Sequence, residues 1–265
     1  QRSVEIMAAA DMKVATFCVV TGASKGLGQA VAINLAEIVG DGSLIVITAR
    51  GEDGLNETKK KIGSAAPHVT VKIVAGDIAG PYSDELHKRI CDVPSPGSFK
   101  HAMIIHNAGS LGDVSKLTSE LSDPKVITDY YGLNVSSVLC LNSQFFSATG
   151  SIVRRTVVNI TSLCALQPFK SWGLYCGGKA ARDMIFKVLA HEQPAVRVLS
   201  YAPGPLQTEM VEEAAKKTAD PDIRAFFVGL SKNRTALDPD VSAKKMVKLL
   251  QDNKFENGSH IDFYD

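Results

Sequence analysis

The chain has almost no net charge: 29 Lys and Arg stand against 28 Asp and Glu, leaving +1. Without a field of one sign, nucleic acid and acidic membranes are not expected as main partners. Long apolar runs are also missing. Ala15–Val20 and Leu44–Ile47 fall far short of the roughly 20 residues a membrane-crossing helix needs. Paired cysteines are missing too. The five present, Cys18, Cys91, Cys140, Cys164 and Cys176, are odd in number and none stand at C-x-x-C spacing. Neither a zinc nor a redox motif is indicated, and a reduced, cytoplasmic location is expected. The six histidines show no H-x-x-x-H or other ligand spacing, so no metal site is expected. Gln1–Asp11 has one basic residue and no apolar core, which does not fit a signal peptide. Residues 1–14 read as an N-terminal extension, of which 1–6 precede Met7 and read as an appended piece.

What is there is ordinary globular material. A chain of 265 residues, 45% hydrophobic and 22% charged, can build one large α/β domain or two small ones. Apolar, β-branched runs at Ala15–Val20, Leu44–Thr48, Val71–Ala75, Ala102–His106, Thr156–Ile160, Val196–Tyr201 and His260–Tyr264 are continuous rather than alternating. That is the pattern of strands covered on both faces. Between them, Leu27–Val39, Glu52–Ile62, Ser83–Asp92, Ser122–Thr149, Trp172–Gln193 and Val241–Asp252 have helical spacing. Strand and helix in alternation predict a doubly wound α/β Rossmann fold, with about seven parallel strands and helices on both faces. Residues 15–265 read as one domain, its ligands beyond the carboxyl ends of the strands. Pro203–Asp238, long, polar and broken by prolines, reads as a functional flap.

Directly after the first strand comes Thr21-Gly22-Ala23-Ser24-Lys25-Gly26-Leu27-Gly28, opening a helix. Gly22 suits a tight turn, Gly26 a close approach of backbone to a pyrophosphate, and Gly28 packing of helix on strand. The free N–H groups and positive dipole end of the helix would face that anion. About 20 residues on, where NAD-binding sites place an acid for the ribose hydroxyl, the second strand ends in Arg50-Gly51. Arg50, helped by Lys25, suits the 2′-phosphate of NADP instead. Glu52 and Asp53 lie just beyond and keep NAD open as the lesser alternative.

Tyr175 and Lys179 stand four apart on one predicted helix and so share a face. Ser162 follows the fifth strand, at the edge where a ligand would lie. An ammonium beside a phenol favours the phenolate, making the tyrosine a better acid–base group near neutrality. Ser162 could then hydrogen-bond a carbonyl while Tyr175 donates the proton. Alone, Tyr-x-x-x-Lys is common on helices.

Together with the glycine loop, Asn107-Ala108-Gly109, Asn134, Ser162, Tyr175-Cys176-Gly177-Gly178-Lys179 and Pro203-Gly204 make the chain resemble the short-chain dehydrogenase/reductase family from Ala15 onward. Longer stretches at Asn107–Lys116, Ser162–Lys170, Tyr201–Leu206 and His260–Asp265 resemble its pterin-reducing branch. The departures, Lys25 in place of Arg and Leu27 in place of Phe, keep charge or bulk.

The resemblance implies NADPH-dependent reduction of carbonyls on a pterin side chain, at the end of tetrahydrobiopterin synthesis. It implies Tyr175 as proton donor and Lys179 as both ribose ligand and depressant of the Tyr175 pKa. Ser162 would orient the carbonyl, and Asn134 would hold a water relaying protons to Lys179. Asp77 and Ile78 would bracket the adenine, and Asn107, Ala108 and Gly109 would pack under the ribose. Pro203, Gly204, Leu206, Gln207, Thr208, Glu209, Met210 and Val211 would run beside the nicotinamide. Leu163 and Gly204 would touch the pterin, and Asp262 would anchor its guanidine-like edge, with Asp265 the nearby competitor. Stripes on Ser122–Thr149 and Trp172–Gln193 resemble those of a four-helix interface and imply a homodimer. Two alternatives stay open: a general NADPH-dependent carbonyl or diketone reductase, and a cofactor-binding protein without catalysis.

Overall fold

The computed structural model describes residues 11–80 and 83–265. The expected division of residues 1–10 at Met7 lies outside the described residues, and 11–15 lead without helix or strand into the sheet. Seven strands make one sheet: β1 (Thr16–Thr21), β2 (Leu44–Ala49), β3 (Thr70–Ala75), β4 (His101–His106), β5 (Arg154–Ile160), β6 (Arg197–Ala202) and β7 (His260–Asp262). Their order is β3-β2-β1-β4-β5-β6-β7, and every neighbouring pair is parallel. The chain winds outward from β1 to β3, then restarts on the other side of β1 at β4. The carboxyl ends of β1 and β4 therefore flank the crevice where the winding reverses.

The helices are α1 (Gly26–Ala36), α2 (Glu52–Ala65), α3 (Ser83–Ile90), α4 (Pro124–Tyr131), α5 (Ser137–Ala148), α6 (Gly173–Glu192), α7 (Glu209–Lys217), α8 (Pro221–Asn233) and α9 (Pro239–Asp252). Each strand serves two cores by its two-residue period. Cys18 and Val20 of β1, with Ile45 and Ile47 of β2, pack under α1, α2 and α9. Phe17 and Val19, with Val46, pack under α3, α5 and α6. Burial of each large apolar side chain contributes roughly 1.5–3 kcal/mol, which is why the strands read as unbroken apolar runs. A third, smaller cluster gathers Leu111, Val114, Cys164, Trp172, Tyr175, Val211 and Phe227 at the carboxyl edge of the sheet.

Three expectations need correction. Pro203–Asp238 is mostly helical, holding α7 and α8. Within it Pro221 opens α8, and the preceding Asp220 accepts from backbone N–H groups of the first turn; just past it, Asp238 and Pro239 begin α9 in the same way. Ser122–Thr149 is not one regular helix. Asp123 caps α4 before Pro124, and a π-helical turn over Gly132–Ser136 separates α4 from α5. The last strand covers only His260–Asp262, because the Asp262 carboxylate accepts from the Tyr264 N–H at 3.0 Å and turns the chain.

Candidate active site

Thr21, at the end of β1, is the fastening point of the glycine loop. Its hydroxyl donates to the Ile105 carbonyl at 3.2 Å and accepts from the N–H groups of Asn107 at 3.0 Å and Ala108 at 2.9 Å. The Asn107 amide donates in return to the Thr21 and Gly22 carbonyls at 2.9 and 3.2 Å. Asn107-Ala108-Gly109 thus locks the loop to β4. Gly22 has φ +66°, and a Cβ on Gly28 would lie 2.3 Å from the Gly22 carbonyl oxygen, so neither position has room for a side chain. No side chain caps α1 and no acid lies in its first turn, so its leading N–H groups and positive end face the crevice. This is a cradle that fits the pyrophosphate of a dinucleotide.

Around it, Arg50 is exposed at the tip of β2, followed by Gly51 as the cap position of α2, with Glu52 and Asp53 inside its first turn. Lys25 makes an ion pair across the crevice with Glu209, the first residue of α7. Past β3, Asp77 is exposed and bonds its own turn, while Ile78 is buried.

Tyr175 and Lys179 lie buried on α6 below the carboxyl end of β5. The Lys179 ammonium donates to the Ile160 carbonyl at 2.8 Å and stands 5.5 Å from the centre of the Tyr175 ring. Ser162 follows in extended conformation, its hydroxyl accepting from the Cys164 N–H at 3.2 Å. Trp172 holds Tyr175 from the side, with ring centres 5.3 Å apart, and stacks at 4.9 Å on Phe227 of α8. The segment expected as a flap therefore supplies part of the wall behind Tyr175.

The electrostatics differ from the simple expectation for this pair. Burial pushes the Tyr175 phenol above its ordinary range, opposed by Ser162 and by the cation of Arg182. Lys179 is itself pushed down from 10.5 to about 7, by burial first and then by Arg182. It carries only part of a charge near neutrality, so the lowering of Tyr175 expected from it does not prevail here. The facing thiols of Cys164 and Cys176 also act on each other, Cys164 being raised and Cys176 lowered.

Asn134 is buried inside the π-helical turn, and its side chain makes three hydrogen bonds. Its oxygen accepts from the Ser110 N–H at 2.9 Å; its amide donates to the Ser110 hydroxyl at 3.1 Å and the Tyr130 carbonyl at 2.9 Å. It sets the loop after Gly109 rather than bonding Lys179 directly.

The far rim is built by the chain's tail. Gly204 (φ +74°) lies against Leu237, Phe263 and Tyr264, and the Pro203 carbonyl accepts from Ser242 at 2.9 Å. Leu206 bridges to Leu237, the Gln207 amide bonds the Ala236 carbonyl at 2.8 Å, and Thr208 precedes α7, where Met210 and Val211 pack inward. Asp262 sits half-buried at the end of β7, beside Ala202, with its N–H bonded to Asp265 at 2.7 Å. Leu163 is exposed next to Ser162.

The glycine loop, Asn107–Gly109, Ser162, Tyr175, Lys179 and Gly204 thus share one edge of the sheet. Sequence reasoning missed Arg182, Trp172, Tyr130 and Phe227. Arg182 had a signal: it stands three and seven residues beyond Lys179 and Tyr175, on their helix face. Among the described residues, no group of three His, Cys, Asp or Glu side chains is placed to hold a metal ion, and no helix is long and apolar enough to cross a membrane.

Residues 16–219 match the family model described as short chain dehydrogenase. The chain is 45% identical to the sepiapterin reductase of Bos taurus, over 94% of this chain and 95% of that one. It is 44% identical to the sepiapterin reductase of Xenopus tropicalis, over 98% and 100%. Among solved structures it is similar to the L-sorbose reductase of Gluconobacter frateurii complexed with NADPH and L-sorbose. That likeness has a TM-score of 0.77 and 25% identity, covering 96% of this chain and 97% of that one.

Proposed function

The chain belongs to the short chain dehydrogenase family, and from that membership we propose that it is an NADPH-dependent reductase of pterin side-chain carbonyls. Its substrates in this reading are sepiapterin and 6-pyruvoyl-tetrahydropterin, in the final step of tetrahydrobiopterin synthesis. The observation that carries it is the convergence of Ser162, Tyr175 and Lys179 on the sheet edge that also holds the glycine loop.

Bound NADPH supplies the hydride. Gly22 to Gly28 hold its pyrophosphate, and Arg50 and Lys25 meet the 2′-phosphate. Ser162 orients the substrate carbonyl and stabilises the negative charge that grows on its oxygen. Tyr175, protonated at neutral pH because burial holds its pKa up, gives that oxygen its proton. Lys179, poised near neutrality, binds the ribose hydroxyls and restores the proton, with Asn134 anchoring the relaying water. Asp77, Ile78 and Asn107–Gly109 line the adenosine side, and Pro203, Gly204 and Leu206–Val211 the nicotinamide side. Leu163 and Gly204 contact the pterin. Asp262 accepts paired N–H groups from its guanidine-like edge.

The assembly in this reading is a homodimer. Support comes from Met184 and Val188 on α6, 61% and 45% exposed, and from Leu139 on α5, 44% exposed. Light scattering of the purified protein tests it. A cytoplasmic location agrees with five cysteines that are all free.

The function is tested by NADPH consumption with sepiapterin, with NADH and a simple diketone run alongside. Fast NADPH-dependent turnover of the pterin is expected. Diketone turnover without pterin turnover would leave a general carbonyl reductase, and cofactor binding without any turnover would remove the enzymatic reading.

A further inference from the structure

Arg182 is 1% exposed, yet none of its partners is charged. Its guanidinium donates through Nε to the Asn159 side-chain oxygen at 2.8 Å, through one terminal nitrogen to the Ala108 carbonyl at 3.3 Å, and through the other to the His106 carbonyl. Among the described residues no carboxylate makes an ion pair with it. Asp183, next along α6, is taken by His260 at 2.6 Å and by the Asn159 amide at 2.9 Å. A buried cation without a countercharge is costly to keep. Packing alone does not call for one, since an apolar side chain would fill the same space. The charge stands on the face of α6 that presents Tyr175 and Lys179, and its fork grips the strand ends that carry Asn107–Gly109 and Ser162.

We propose that Arg182 is a positioning residue for proton transfer: its fixed charge biases Tyr175 and Lys179 toward their deprotonated forms, while its three bonds hold β4 and β5 beneath them. The inference rests on Tyr175 being the proton donor. A proton donor reacts faster when the anion it leaves behind is stabilised, and a cation fixed in a dry site does this without reorganising. Arginine suits the task because it keeps its proton there: burial brings it down only to about 10.

The other groups facing the pair either carry no positive charge or oppose Arg182. Burial and the Arg182 cation hold His106 of β4 neutral, at about 3. Tyr130 of α4 is raised by burial, and Cys164, in the turn after β5, by the Cys176 thiol and burial. Asp183 of α6 and the Cys164 thiol oppose Arg182 at Lys179, and the Cys164 and Cys176 thiols oppose it at Tyr175. Among the described residues, Arg182 is thus the one permanent cation facing Tyr175 and Lys179.

The test is the pH dependence of kcat/KM for pterin reduction in Arg182→Gln and Arg182→Met, with Tyr175→Phe as reference. Removing a cation raises the pKa of both Tyr175 and Lys179. Whichever of them controls the high-pH limb, its midpoint therefore moves up, by about one pH unit. NADPH affinity should stay within about tenfold of the parent, and the rate at neutral pH should fall about 10- to 100-fold. A lower rate with an unmoved midpoint would make Arg182 a packing residue and overturn the proposal. So would failure of both variants to fold and bind NADPH. Full activity in Tyr175→Phe is a different failure: it would remove the proton donor itself, whatever Arg182 does.

Discussion

The ammonium of Lys179 donates to the main-chain carbonyl of Ile160 at 2.8 Å, so the last residue of β5 fixes a side chain one helical turn beyond Tyr175. That single strong acceptor does not offset burial beside Arg182, and the Lys179 pKa falls from 10.5 to about 7. Below about 7 the lysine is charged in both folded and unfolded chains, and the folded state carries the whole cost. Between the two values the unfolded chain binds more protons, so this residue makes stability rise with pH. Lys179→Met should therefore melt above the parent near pH 6, by on the order of a few kcal/mol in stability. The gap should narrow toward pH 10 while reductase activity is lost. Thermal melts of both proteins across that range check this, and a variant less stable at every pH would refute it.

Tyr175→Phe keeps the ring that packs on Trp172 at 5.3 Å and removes only the hydroxyl. Its expected signature is a loss of about 10²–10⁴-fold in kcat with NADPH affinity unchanged. Fluorescence titration of the cofactor and steady-state kinetics separate the two effects.

Asp262→Ala should raise KM for a pterin far more than for a simple diketone, which lacks the paired N–H groups a carboxylate can accept. The carboxylate also closes the turn onto Tyr264 at 3.0 Å. Asp262→Asn, which keeps an acceptor for that N–H, is the control for local disorder. Equal losses on both substrates would remove the anchoring role.

Lys25 is already paired with Glu209 across the crevice, whereas Arg50 has no such ion pair among the described residues. Arg50→Ser should therefore weaken NADPH binding more than Lys25→Ala does. Glu209→Gln, by releasing Lys25, should tighten NADPH relative to NADH. Dissociation constants for both nucleotides decide it, and a Lys25→Ala effect larger than that of Arg50→Ser would reverse the assignment.

The sheet was legible because its inner strands are buried on both sides, so that Phe17 and Cys18 are equally apolar although they face different cores. The ends of strands and helices were legible to within a few residues. Helix α8, inside Pro203–Asp238, was not, because Asp220-Pro221 looks like loop punctuation unless proline is weighed as the first residue of a helix. The reacting groups, Ser162, Tyr175 and Lys179, could be found from spacing and order alone. Their surroundings could not: Trp172 meets Phe227 only through tertiary packing, and the depressed Lys179 reflects a burial that no motif records.

The π-helical turn at Gly132–Ser136 bears on how the chain tolerates insertions and deletions. A wide turn of this kind holds one residue more than the regular spiral. Losing that residue would restore the spiral but rotate everything downstream by about 100° relative to everything upstream. Asn134 could then keep its grip on Ser110, or Leu141 and Phe145 could keep their place against the sheet, but not both. The extra residue acts as a phase lock between the mouth of the crevice and the outer helical layer. A chain shortened there by one residue should fail as a whole, although each half would remain good helix.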